Sequence, residues 1–198
     1  MKVVGITGGI GSGKTTVARV FASMSIPVFN SDAEGRRVLD NDARVIEAVK
    51  QLLGEEVYLS DGKADRKAIA SKVFADPAQL ENLNAIIHPA VKRSTQAWVM
   101  SLPASTTYCL KEAAILFESG AASQCDHVIA VRAEDAIRIQ RIMERDGVSH
   151  AEVEVRMKNQ WSQEKVTALS DYVVDNSGEQ SLIQQVVSIH RLLTAQGQ

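Results

Sequence analysis

Residues 8–15 read Gly-Gly-Ile-Gly-Ser-Gly-Lys-Thr and satisfy the spacing G-x-x-x-x-G-K-[ST] through Gly8, Gly13, Lys14 and Thr15. The chemistry that suits this pattern is the binding of a nucleoside polyphosphate. Glycines let the backbone turn N–H groups inward around phosphate oxygens. Lys14 can reach the β and γ oxygens, and the Thr15 hydroxyl can bind Mg²⁺. The start of a helix adds partial positive charge. The apolar run Val3–Thr7 precedes the loop, and Val17, Val20, Phe21 and Met24 follow it at helical spacing. The loop therefore joins a strand to a helix, as the motif requires. A dinucleotide fingerprint fails, because Gly9-x-Gly11 is followed at the third position by Lys14, and Gly11-x-Gly13 by Thr16. Gly8, Gly9, Ile10, Gly11, Ser12, Gly13, Lys14, Thr15 and Thr16 form the candidate triphosphate site.

Guanidinium groups gather elsewhere in the chain. Five of the 12 arginines fall within residues 132–156, namely Arg132, Arg138, Arg141, Arg145 and Arg156, and no lysine does. Arg138, Arg141 and Arg145 share one helix face, where Glu134 can pair with Arg138, so a solvated salt-bridge face explains part of the cluster. Arg141 and Arg145 are like charges one turn apart, which costs about 0.2–0.5 kcal/mol unless an anion sits between them. Guanidinium forks fit phosphate oxygens better than ammonium does, which makes this face a candidate phosphate clamp.

Three further residues carry two readings each. Asp32 follows the apolar run Pro27–Asn30, at the edge where α/β sheets place ligands. It could handle the proton of an acceptor hydroxyl or cap a helix over Ala33–Leu39. Glu112, at the end of the third apolar run, could hold Mg²⁺ through water or face solvent. His88 could touch a ligand or simply terminate a helix before Pro89.

The elements that must position these groups alternate. Five short runs read as strands: Val3–Thr7, Pro27–Asn30, Thr106–Leu110, His127–Val131 and Tyr172–Asp175. Several are continuously apolar, as strands covered on both faces are. Leu182, Val186, Ile189 and Leu193 mark a C-terminal helix. The pattern predicts an α/β core with a mostly parallel sheet. Two helical stretches interrupt it. In the first, Asp76-Pro77 reads as an N-cap and first helical residue, and Leu80, Leu83, Ile87, Val91 and Trp98 continue at helical spacing. Pro89 is expected to break or kink that helix near His88. The second is a charged helical pair over Glu134–Lys165, with Asp146-Gly147 ending one helix and Ser149 with Glu152 boxing the next.

The chain has 198 residues, 45% hydrophobic and 23% charged, with a net charge of −2. That balance excludes a disordered chain and a uniformly basic nucleic-acid binder. Cys109 and Cys125 match neither a metal spacing nor a disulfide framework. No stretch reads as a signal peptide or a membrane span. A cytoplasmic location and a monomer are expected, with neither nucleic acid nor membrane as partner. The guanine-reading N-K-x-D of a G-protein is absent. Two helical insertions in a short chain favour a small-molecule kinase, with a nucleotide-sensing binding module as the reading from another class.

The whole pattern resembles the dephospho-coenzyme A kinase family over nearly the whole chain. The resemblance rests on the loop at 4–16, Val28–Asp32, Ile87-His88-Pro89, Leu116-Phe117-Glu118, Arg156–Gln160 and Asp171–Gly178. Two motifs depart from the family. Its D-A-D reads Asn30-Ser31-Asp32, and its P-L-L-F-E reads Ala114-Ile115-Leu116-Phe117-Glu118. The resemblance implies a P-loop NTPase fold of the nucleoside-monophosphate-kinase type, with a five-stranded parallel sheet flanked by helices. It implies a nucleotide-binding core over 1–31, 102–133 and 166–198, a helical insertion over 32–101 that holds the CoA precursor, and an arginine-rich lid over 134–165. It also implies transfer of a phosphoryl group from ATP, with Mg²⁺, to the ribose 3′-hydroxyl of dephospho-CoA. Lys14, Asp32 and Arg141 would be catalytic. Arg138 and Asn176 would join the loop at ATP, while Arg66, His88 and Glu112 would join Asp32 at the acceptor. Another nucleoside or nucleotide kinase is the alternative within the class.

Overall fold

A computed structural model of the chain describes residues 1–74 and 76–195. In chain order the elements are β1 (Lys2–Thr7), α1 (Lys14–Ser23), β2 (Val28–Asn30), α2 (Ser31–Asn41), α3 (Ala43–Leu53), α4 (Arg66–Phe74) and α5 (Pro77–Ser101). There follow β3 (Tyr108–Glu112), β4 (His127–Arg132), α6 (Asp135–Asp146), α7 (His150–Lys158), α8 (Gln163–Ala168), β5 (Tyr172–Asp175) and α9 (Leu182–Ala195). The contacts divide the chain into two compact units, Met1–Asn30 with Pro103–Gln198, and Ser31–Leu102.

In the first unit the strands form a five-stranded sheet in the order β2-β3-β1-β4-β5. Every neighbouring pair is parallel. The continuously apolar strands are covered on both faces. On one face, Val4, Ile6, Leu110, Ile129 and Val174 meet Val17 and Phe21 of α1 and Val186, Ile189 and Leu193 of α9. Leu116 leads a smaller cluster with Ala113, Val128, Phe117 and Cys125. Gly5 allows that packing, since a Cβ there would stand 2.5 Å from Leu116 Cδ2. The chain leaves β1 for β2 on one side, and after β3 it crosses to β4 on the other. The crevice at the carboxyl end of β1 is therefore where such a sheet takes a ligand.

The third strand differs from expectation. It runs over Tyr108–Glu112 instead of Thr106–Leu110, so two charged residues lie inside it, with Lys111 3% and Glu112 4% exposed. Both charges find polar partners, and a satisfied buried charge need not end a strand. Lys111 Nζ donates to Gln124 Oε1 at 2.9 Å, and Glu112 accepts from two side chains described below.

The second unit closes a hydrophobic cluster of its own around Val38, Val45, Val49, Leu53, Ile69, Leu83 and Ala90. Asp42 caps α3, and Asp76 caps α5 with Pro77 at its start. Of the break or kink expected at Pro89, the break does not occur: α5 is continuous over Pro77–Ser101. Leu83 before the proline and Ala90 and Thr95 after it are all buried. Apolar burial on both sides thus outweighs the single lost backbone bond and the local crowding.

Glycine in the left-handed region ends α6 at Gly147, and the Ser149–Glu152 capping box opens α7. Helix α8, capped by Ser162, was not separated by the sequence pattern. No helix among the described residues is long and apolar enough to cross a membrane. Phe21 is wholly buried, with its ring edge-on to Tyr108 at 6.5 Å. Phe21→Ala is expected to lower unfolding stability by about 3–5 kcal/mol. Urea unfolding measures this, and a loss below about 1 kcal/mol would mean that α1 is not anchored through this ring.

Candidate active site

The loop after β1 is shaped by its carbonyls. Lys14 Nζ donates to Gly8 O at 2.8 Å, and the Ser12 amide donates to Gly9 O at 3.1 Å. Arg138 Nε reaches Ile10 O at 3.0 Å, and Arg141 reaches Gly11 O more loosely at 3.5 Å. Asn176 Nδ2 donates to Ser12 O at 2.9 Å, and the Thr16 amide to Gly13 O at 2.9 Å. Each carbonyl from Gly8 to Gly13 is thus tied down. In a trans peptide the N–H points opposite to the preceding carbonyl. Tethering the carbonyls therefore orients the loop's amides, which is the basis of an anion-binding nest. Helix α1 begins at Lys14, and the amides of a first helical turn have no upstream acceptor within the helix. Gly13 is required at the junction. Its φ is 91°, and a Cβ would stand 2.1 Å from Asn176 Nδ2.

Beside the loop, Thr15 Oγ1 donates to Glu112 Oε1 at 2.7 Å, and Asn30 Nδ2 donates to Glu112 Oε2 at 2.9 Å. Register explains the meeting, because Glu112 is the partner of Ile6 in β1 and of Asn30 in β2. Of its two readings, the solvent-facing one is excluded by burial. A buried carboxylate next to a threonine hydroxyl at a helix start is a hard-oxygen donor set, which fits Mg²⁺.

The arginine cluster divides. Arg132 pairs with Asp175 at 2.9 Å across β4 and β5. Arg145 and Arg156 both pair with Asp146, at 2.7 Å each. The hydrogen bond from Arg145 is the main cause that holds the Asp146 carboxyl below its usual range. The repulsion expected between Arg141 and Arg145 is therefore offset by a carboxylate at Arg145. Arg138 pairs with Asp135 at 2.8 Å, in place of the expected Glu134. It is only 5% exposed, with its head against the loop. Arg141 also donates to Asn176 O at 3.0 Å. Arg138 and Arg141 are the two arginines of the cluster aimed at the loop.

Asp32, Arg66 and His88 belong to the unit Ser31–Leu102. Helix α2 starts at Ser31, so Asp32 is exposed within the first turn rather than capping it. Arg66 pairs with Asp40 at 2.6 Å. His88 is half-buried on α5, and burial lowers its pKa, so it favours the neutral form. Two residues at the loop had no role in the sequence reading. Gln160 accepts a hydrogen bond from the Ile10 amide at 2.7 Å, and Asn30 holds Glu112. Asn30 donates to a carboxylate that an acid at its position would repel.

The comparisons with known proteins agree with this geometry. The family profile CoaE, dephospho-CoA kinase, matches residues 2–181. A curated dephospho-CoA kinase of Chlorobaculum tepidum is 39% identical over 197 residues, covering 96% of this chain and 94% of its own. That of Sodalis glossinidius is 33% identical over 190 residues, covering 96% and 90%. The solved structure TT1252 from Thermus thermophilus superposes with a TM-score of 0.86 at 32% identity, covering 96% of each chain. A shikimate kinase of Acinetobacter baumannii shares the fold alone, at 15% identity and a TM-score of 0.51, covering 100% of this chain and 95% of its own. The non-catalytic and other-kinase readings are not favoured. With the carbonyls of Gly8 to Gly13 tied down and curated relatives matched over 90% or more of either chain, this chain belongs to the dephospho-CoA kinase family and is a P-loop kinase.

Proposed function

We propose that the protein transfers the γ-phosphoryl group of ATP to the ribose 3′-hydroxyl of dephospho-CoA, the last step of CoA synthesis. The observation that carries the reading is the tethered loop in a chain that matches the family over residues 2–181. In this transfer the acceptor oxygen forms a bond to the γ-phosphorus, and the bond to the β–γ bridging oxygen breaks. ADP leaves with the bridging oxygen, and the hydroxyl proton passes to a base.

Lys14 and the loop amides neutralise phosphate charge, because little covalent chemistry is left for the protein in phosphoryl transfer. Thr15 and, through water, Glu112 would hold Mg²⁺, a reading supported by the hydrogen bond between them. The charge neutralisation such an ion would supply at the phosphate oxygens adds to that of Lys14. Asp32 takes or orients the hydroxyl proton, a role supported by its exposed position. Arg138 and Arg141 act on the transferring group. Residues 32–101 take dephospho-CoA, with Arg66 and His88 among the contacts. Residues 134–165 close over ATP to exclude water. The same proposal places the enzyme in the cytoplasm, as a monomer, with Cys109 and Cys125 as free thiols.

Lys14→Ala is expected to keep its circular dichroism spectrum and to lose about 10²-fold or more in dephospho-CoA-dependent ADP release. Near-normal turnover by the folded variant would sink the assignment. For Asp32→Asn, kcat is expected to fall about 10²-fold with the KM for ATP little changed. A wild-type kcat would remove Asp32 from the chemistry. Arg141→Ala forfeits the bond to Asn176 O, so it is expected to cost about 0.5–1.5 kcal/mol of stability. Its kcat should also fall about 10²-fold. Lost stability with an unchanged kcat would make Arg141 a strut only.

A further inference from the structure

Residues 9–12 form a tight turn closed by the Ser12 amide on Gly9 O. Gly11 has a φ of 80°, the value a type II turn demands at its third residue. Such a turn can flip its central peptide, and glycines on both sides of Ile10 leave little steric resistance to reorientation. Arg138 holds that central peptide, its Nε donating to the Ile10 carbonyl at 3.0 Å, and Gln160 fixes the peptide just before it, its Oε1 accepting from the Ile10 N–H at 2.7 Å. The first lies on α6 and the second just past the end of α7. The loop residue at the apex of the turn is thus gripped on both peptide groups by the two ends of one helical pair.

Gln160 is itself well anchored. Its own amide bonds to Met157 O at 3.1 Å. The next residue, Trp161, donates its amide to Glu118 Oε1 at 3.2 Å. The Trp161 ring stacks on Phe117 with 6° between planes, and Lys165 Nζ lies over it at 3.2 Å from the centroid. Three segments distant in sequence, around residues 10, 117 and 160, converge here.

We infer that Gln160 is a positioning residue for phosphoryl transfer: it holds the Ile10 peptide so that the phosphate loop is correctly shaped when the 134–165 helices are docked on it. The inference rests on the kinase reading above for its kinetic consequence, though not for the contact itself. The contact of its side chain oxygen is with the loop backbone at Ile10. It acts through the turn that sets the direction of the loop's amides, and displacement of such groups by a fraction of an ångström is costly to rate.

The test uses the full chain and two variants. Gln160→Met keeps the length and removes the acceptor; Gln160→Glu keeps an acceptor oxygen. Amide exchange at Ile10 is followed by NMR without nucleotide, alongside ADP release with ATP and dephospho-CoA. Gln160→Met is expected to exchange the Ile10 amide at least about tenfold faster and to lose about tenfold in kcat. Its KM for dephospho-CoA should stay within about twofold and its thermal midpoint within about 4 °C. Gln160→Glu should retain slow exchange. Three results overturn the inference: an unchanged kcat in Gln160→Met, exchange in Gln160→Glu as fast as in Gln160→Met, or a kcat loss matched by a general loss of thermal stability. If the wild-type protein released no ADP with dephospho-CoA, the proposed reaction would fall, and the exchange comparison would still decide the contact.

Discussion

Binding a polyphosphate with backbone amides imposes one constraint that the rest of the core answers to. Amides cannot be aimed without aiming their carbonyls, and buried carbonyls must find donors. In this protein the donors come from many places. Lys14 and the backbone of Ser12 and Thr16 are local. Arg138, Arg141 and Asn176 arrive from residues more than a hundred positions away. The loop is therefore a product of the tertiary fold as much as of its glycines. Asn176 shows how: its amide is bonded to Arg132 O at the end of β4, which delivers its side chain behind Ser12. It supports the loop from the protein side.

A second consequence is that ionisable groups are buried beside the site and stay there only because each has fixed partners. Glu112 is held by Thr15 and Asn30, and Arg138 by Asp135 and Ile10 O. Removing one partner from such a set leaves a buried charge uncompensated, which is far worse than losing the contact itself. Asn30 illustrates the tuning. An acid at that position would set two carboxylates side by side and call for a cation between them. The amide satisfies Glu112 directly.

The arginines teach a related lesson about charge clusters. Five guanidinium groups in one window look alike in sequence, yet three are spoken for by carboxylates at Asp175 and Asp146. Ion pairs of that exposed kind contribute little to stability. The other two are distinguished by contact with the loop backbone, which only the packing of α6 against residues 10–13 could select.

Much was legible in the sequence because it depended on local rules. The phosphate loop, the five strands, the caps at Asp76 and Ser149 and the glycine stop at Gly147 follow from spacing, hydrophobic period and capping chemistry, all acting within a few residues. What the sequence could not decide was set by burial and by partners far along the chain. Pro89 passes through a helix because apolar neighbours on both sides are buried. β3 carries Lys111 and Glu112 because Gln124, Thr15 and Asn30 are waiting for them. Gln160 finds Ile10 across 150 positions. Local preference is worth up to about 1 kcal/mol for an ordinary residue and about 3 kcal/mol for a proline inside a helix, whereas each fully buried apolar side chain contributes about 1.5–3 kcal/mol and an unpaired buried charge costs several, so packing summed over many neighbours overrules propensity at these positions.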